Sequence, residues 1–279
     1  MIKFIILVLS FIVFCIYQNN SIVITQSVYN NPKIPNDFDG FKIVHISDLH
    51  NKMFGDGQID ILNKVRNLAP DIIVVTGDMI DRRKYDLETA MIFISGAIKT
   101  APVYYVSGNH EAWSGKYPLI KESLIDTGVC ILDDTAVELS KGRNTIHIMG
   151  LADPAFLTSD YLEGTNINKI TQQLSHWSTN KDFKILLSHR PELFELYCEN
   201  KIDLVFSGHA HGGQIRIPLI GGLVAPGQGI LPKYTSGSYT KDSTTMFVSR
   251  GLGNSIFPIR VFNRPEIVVV TLRNKINSL

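Results

Sequence analysis

Residues 42–50 read KIVHISDLH. Lys42 to Ile46 is a mostly apolar run between Gly40 and Ser47, short enough for a buried strand. It ends in a carboxylate, Asp48, and an imidazole, His50. The same arrangement returns four times. Residues 72–81 read IIVVTGDMID, 103–111 read VYYVSGNHE, 183–189 read FKILLSH and 204–211 read LVFSGHAH. Between the first three strands lie two helical patterns. Ile59, Leu62, Val65 and Leu68 recur at helical spacing before Pro70, and Leu87 to Ile98 carries Met91, Ile94 and Ile98 on one side. Strand, helix, strand, helix, strand predicts right-handed crossovers and an α/β sheet.

The second half is richer in strands. Val129–Leu132, Val137–Leu139, Thr145–Met149, Phe183–Leu187, Leu204–Phe206, Met246–Ser249 and Ile267–Leu272 read as strands, with helices over Ile167–Trp177 and Pro191–Asn200. Mixed strands with helices outside predict two stacked sheets covered by helices.

In open α/β sheets, the loops beyond the strand carboxyl ends meet at one crevice. Five such loops deliver Asp48, His50, Asp78, Asn109, His189, His209 and His211 to one place. Carboxylate oxygen mixed with imidazole nitrogen suits a borderline metal ion such as manganese, iron or zinc. Seven candidates are too many for one tetrahedral site. With one carboxylate bridging, they make two sites of four ligands each. Paired ions about 3.5–4 Å apart serve the hydrolysis of phosphate esters. Gly77, Gly108 and Gly208 stand immediately before ligands, where the chain must turn sharply. His45, His147 and His176 lack partner spacing and read as structural.

The ordered blocks DLH, GDMID, GNHE, SH and GHAH resemble the calcineurin-like metallophosphoesterase superfamily over about residues 40–272. The stretch SGHAHGGQIRIP, GLADP at 150–154 and SRGLG at 249–253 resemble the membrane-associated bacterial branch related to UDP-diacylglucosamine hydrolases. The resemblance implies a four-layer α-β-β-α sandwich. It implies a first divalent ion on Asp48, His50, Asp78 and His211, and a second on Asp78, Asn109, His189 and His209, with Asp78 as the bridge. His110 matches the residue that meets the leaving-group oxygen, and Asp81 the residue that orients it. Arg82 falls where some members place a phosphate-binding arginine.

Composition narrows the partners. Lys plus Arg is 27 and Asp plus Glu is 26, a net charge of +1, which argues against a nucleic-acid surface. Cys15, Cys130 and Cys198 make no disulfide framework. Residues 4–17 read FIILVLSFIVFCIY behind Lys3. This is short for a span of about 20 residues, and no small-residue cleavage site follows. Residues 1–20 are therefore read as an uncleaved signal anchor, with a cleaved leader as the alternative. Residues 21–40 are read as a tether containing a possible edge strand over Ser21–Val28, and 41–279 as the catalytic domain. Lys3 places the N-terminus in the cytoplasm and the domain outside, as a single-pass monomer on the cell membrane. The expected substrate is a phosphodiester or pyrophosphate in the envelope or on a lipid. A phosphoprotein or phosphomonoester phosphatase and a non-catalytic scaffold are the alternatives.

Overall fold

In a computed structural model of the chain, residues 1–157, 167–179, 181–255 and 257–274 are described. Helix α1 (Ile2–Asn20) is apolar and almost wholly exposed along the predicted anchor. It is long and apolar enough to cross a membrane. Strand β1 (Val23–Asn30) follows, then β2 (Lys42–Ile46), α2 (Ile59–Leu68), β3 (Ile72–Thr76), α3 (Leu87–Ala97) and β4 (Val103–Val106). Two helices, α4 (Asn109–Trp113) and α5 (Tyr117–Asp126), precede β5 (Cys130–Ile131). These strands and a C-terminal β16 form one six-stranded sheet in the order β1-β16-β2-β3-β4-β5, with β16 spanning Glu266–Arg273.

The second sheet holds β6 (Thr135–Lys141), β7 (Asn144–Gly150), β8 (Lys184–Leu187) and β9 (Leu204–Ser207). Helix α6 (Ile167–Ser178) joins β7 to β8, and α7 (Phe194–Glu199) joins β8 to β9. Two small hairpins come next, β10 (Arg216–Ile217) with β11 (Gly221–Gly222), and β12 (Val224–Ala225) with β13 (Gly229–Ile230). Strands β14 (Gly237–Lys241) and β15 (Thr244–Val248) complete the order β14-β15-β9-β8-β7-β6.

Strand alternation builds the layers. In β2 and β3, Ile43, Ile72 and Val74 face the other sheet, while Val44, Ile73 and Val75 face α2 and α3. In β8 and β9, Ile185, Leu187, Leu204 and Phe206 meet that inner core, and Leu186 and Val205 pack under α6 and α7. The result is the four-layer α-β-β-α sandwich. Strands β2, β3 and β4 run parallel, as do β8 and β9, so their carboxyl ends share one end of the molecule.

Several elements go beyond the sequence reading, among them α4, α5 and the strands β10 to β14, while the possible edge strand over Ser21–Val28 is present as β1. The segment 21–40 carries an eight-residue strand paired in parallel with β16, and buries Ile34 and Phe38 in the inter-sheet core. Its asparagines and prolines mask a pattern that becomes visible only once β16 is beside it. Helix α5 has no counterpart in the sequence reading, because only Ile120 and Leu124 are buried on its inner side. Cys15, Cys130 and Cys198 are free thiols.

Candidate metal centre

The turn after each parallel strand is stitched to its neighbour. Asp48 N–H donates to the Gly77 carbonyl at 3.0 Å, and His50 N–H to the Asp78 carbonyl at 3.0 Å. Gly208 N–H reaches the His189 carbonyl at 3.2 Å, between the loops after β9 and β8. Asp48, His50, Asp78, His209 and His211 all adopt left-handed backbone, with φ between 46° and 63°. Such strain costs roughly 1–3 kcal/mol per residue and persists only where surroundings dictate it. Two glycines make room for the ligands. A Cβ on Gly108 would stand 2.3 Å from Asp78 Oδ1, and one on Gly208 would stand 2.5 Å from Asp48 Oδ2.

All seven expected ligands come together and all are buried. Asp48, His50, Asp78 and His211 form one group of converging donor atoms, and Asp78, His189 and His209 another. Asp78 Oδ2 lies 3.5 Å from His50 Nε2 and 3.3 Å from His189 Nε2, so this one oxygen faces both groups. On one side His50 Nε2 is 3.2 Å from His211 Nε2, which is 3.4 Å from Asp48 Oδ1. On the other, His189 Nε2 is 3.2 Å from Asn109 Oδ1 and 3.1 Å from His209 Nδ1.

The donor set fits divalent cations. Imidazole nitrogens at these separations, turned towards carboxylate oxygens, are lone pairs awaiting a shared positive charge. Protons alone leave a strained compromise. Burial alone would discharge His189, yet Asp78 beside it drives it up to about 10. Burial opposes the charge on Asp78, but His189, His110 and His50 hold its carboxyl well below the usual range. Burial pushes Asp48 up to about 6 and His50 down to about 3.

His110 sits beside this cluster, its ring 4.4 Å from that of His50. Its Nδ1 accepts the Arg82 N–H at 3.2 Å. Asp81 lies 3.6 Å from the same nitrogen, beyond a hydrogen bond, because its carboxylate takes the Arg83 backbone and guanidinium at 2.7–3.1 Å. Asp81 therefore shapes the turn that presents the Arg82 amide to His110. The Arg82 side chain is exposed and stacks over Trp113 at 4.8 Å.

Several residues escaped the sequence reading. Glu111 is fully buried and accepts the N–H groups of Asp78, Met79 and Gly108, each at 2.8 Å, which fixes two ligand loops together. Burial, with Asp78 nearby, pushes its carboxyl up to about 7. Arg190 clamps Asp153 at 2.7 and 2.9 Å and approaches His209 Nε2 at 2.9 Å. Glu192 stands 4.0 Å from the same Nε2, and its buried Oε2 has no partner among the described residues. Asn263 donates to the His211 carbonyl at 2.7 Å. The only signals were position: Glu111 closes GNHE, Arg190 follows Ser188-His189, and Asp153 lies in GLADP. Of the histidines read as structural, His45 bonds Thr76 Oγ1 at 2.8 Å, and His147 faces Asp182 at 3.1 Å.

The profile of the calcineurin-like phosphoesterases matches residues 41–213, so the chain belongs to that family. It is 32% identical to the Bacillus subtilis (strain 168) metallophosphoesterase YkuE, over 90% of this chain and 85% of that protein. It is 25% identical to phosphodiesterase YaeI of Escherichia coli (strain K12), over 83% and 82%. Among solved structures, TT1561 of Thermus thermophilus superposes with a TM-score of 0.52 at 12% identity, over 76% of this chain and 90% of that one, and shares the fold. With this family and this buried His/Asp cluster, the protein is a metal-dependent hydrolase of phosphate esters.

Proposed function

We propose that the chain holds two divalent ions and hydrolyses a phosphodiester or pyrophosphate bond in a lipid-linked or cell-envelope substrate. The observation that carries this is Asp78 Oδ2, which faces His50 on one side and His189 on the other. Asp48, His50, Asp78 and His211 would hold one ion; Asp78, Asn109, His189 and His209 would hold the other. Manganese, iron and zinc all suit the donors. Bound there, such a pair supplies Lewis acidity to the phosphoryl oxygens and a nucleophilic hydroxide at neutral pH.

The chain's own residues do the rest. His189 Nδ1–H donates to the Thr76 carbonyl at 2.6 Å, which leaves Nε2 free as a ligand. At His209 Nε2 the Arg190 guanidinium stands at 2.9 Å as a donor, with Glu192 behind it at 4.0 Å, so Arg190 and Glu192 together set that ring's orientation. His110 accepts the Arg82 amide on Nδ1, so its proton sits on Nε2, from which it can donate a hydrogen bond to the leaving oxygen. Burial lowers the His110 pKa and keeps the ring a neutral donor. Arg82, at the rim, attracts the phosphate. The lipid-linked substrate is supported by the apolar α1 and by the likeness of SGHAHGGQIRIP to the UDP-diacylglucosamine hydrolase branch.

The test is hydrolysis profiling of the detergent-solubilised full chain. Phosphomonoesters, phosphodiesters and UDP-linked lipids are offered with each metal in turn. Turnover of diesters or pyrophosphates above monoesters is the expected result. Preference for monoesters would overturn the substrate class, and no turnover with any metal would overturn the activity.

A further inference from the structure

The end of the sandwich that carries the metal loops also carries the membrane helix. Strand β1 is parallel to β16, and β16 is antiparallel to β2, so the C-terminus of α1 emerges beside the loops after β2, β3 and β4. Asn19 at its last turn accepts the Asn254 side-chain amide at 2.8 Å and the Arg260 N–H at 3.2 Å. Phe14, within the apolar run, packs edge-on against Phe262 with ring centroids 5.3 Å apart.

This contact fixes a depth. Nineteen helical residues span about 28 Å, barely the hydrocarbon thickness of a bilayer. The helix has no length to spare, so Phe14 lies inside the apolar layer, and Phe262 touches it there. Around Phe262 the surface is strongly apolar. Ile220, Leu219, Ile230, Leu231 and Phe257 join it, with exposures from 50% to 109%. The pieces are joined in space: Arg216 N–H donates to the Val261 carbonyl at 3.0 Å, and Leu223 N–H to the Ile215 carbonyl at 2.9 Å. Leu231 N–H in turn reaches the Leu223 carbonyl at 2.9 Å. A groove of about 680 Å³ runs from Pro258 and Asn254 on this rim to His50 and Asp81, with Lys52, Lys84, Asp86 and an Arg83 paired to Asp81 along it, one cation in excess of the carboxylates. Apolar patches of this kind, continuous with a membrane helix and edged by cations, suit an anionic lipid surface.

We propose that the β10–β13 hairpins and the 257–262 loop form a membrane seat. They dip into the same bilayer that α1 crosses and set the mouth of the basic groove at headgroup level. The seat rests on the reading of α1 as a span, and gives the phosphoesterase of the preceding section a lipid headgroup phosphate as its nearest substrate.

The experiment uses the full chain in vesicles of phosphatidylcholine and phosphatidylglycerol, with or without bromine on the acyl chains. Leu219→Trp and Ile230→Trp are compared with Ile125→Trp, an exposed site on α5 near the start of β5, at the opposite end of the strands. After subtraction of the native Trp113 and Trp177 emission, the two seat variants should lose about half of their added fluorescence to brominated lipid, and Ile125→Trp almost none. Equal quenching at all three positions, or none at the seat, would overturn the proposal. A blue-shifted but unquenched Leu219→Trp would mean that protein covers the patch, and would overturn it too. Hydrolysis of a soluble chromogenic phosphodiester by the same samples separates the two readings. Turnover without quenching removes the seat alone, and quenching without turnover removes the activity alone.

Discussion

His189 is turned by a 2.6 Å hydrogen bond from Nδ1 to the Thr76 carbonyl, whereas His50, across Asp78 from it, has no partner on Nδ1 among the described residues. The same contrast divides the other two rings. His209 Nε2 accepts from the Arg190 guanidinium at 2.9 Å, while the Nδ1 of His211 is buried and has no partner among the described residues. One half of the centre is therefore oriented by hydrogen bonds. In the other half, His50 and His211 stack on one another at 4.9 Å. That half also borders the basic groove through His50. Partners on the far nitrogen fix ring orientation and raise ligand basicity, typically by 10–100-fold in metal affinity. Through His189, whose Nδ1 proton has an acceptor, the closed half is expected to hold an ion more tightly than the half that borders the groove.

Asp78→Asn is the largest test, because it acts on both halves at once. An amide cannot supply the shared charge, so metal content should fall at both sites. Turnover should drop by about 10³-fold or more, the several kcal/mol that charge stabilisation by metal supplies. Elemental analysis beside activity checks this. Loss of one ion with the other fully retained would show that the halves do not share Asp78.

His110→Ala comes next. Its ring touches the open half but lies in neither ligand group of four, so metal content should hold while turnover falls roughly 10²–10⁴-fold. A variant stripped of metal would make His110 a ligand and redraw the open half.

Much of this centre is legible in the sequence. Each of the seven expected ligands follows an apolar run, and the parallel strands carry those ends to one crevice without help from distant sequence. What was hidden lies one step behind. Glu111 holds four backbone amides, and nothing in a linear pattern marks a carboxylate that bonds to backbone rather than to metal. The Arg190–Asp153 clamp joins residues 37 apart, and only the closed fold brings them together. Strand β1 was partly hidden for the same reason: its identity as a sheet member depends on β16, over 200 residues away. The short hairpins β10 to β13 show in the sequence only as glycine turns, and their exposed apolar tips gain meaning only beside α1.

Glu192→Gln bears on the closed half alone. It keeps the shape but removes a negative charge that lies 3.4 Å from the Arg190 guanidinium and 4.0 Å from His209 Nε2. One of the two ions should bind about 10–100-fold more weakly, with the other unaffected. Stepwise chelation of the parent protein gives the companion result. The first ion to leave should come from the His50–His211 side, as seen by anomalous scattering from crystals soaked in limiting chelator. If the His189–His209 ion leaves first, partners on the far nitrogen do not decide affinity here.

Arg82→Ala should have the smallest effect, and it separates backbone from side chain at the open rim. The contact that positions His110 is the Arg82 amide, which alanine keeps. What is lost is an exposed guanidinium stacked over Trp113. An exposed charge is worth about 0.2–1 kcal/mol and is screened by salt. KM for a phosphodiester should therefore rise by no more than about 5-fold at low salt, with kcat and metal content unchanged, and the difference should shrink as salt is added. A fall in kcat of the size expected for His110→Ala would mean that the guanidinium itself meets the reacting phosphate. The open half would then contain a catalytic cation that the closed half lacks, and the division between an ordered side and an entry side would have to include chemistry as well as access.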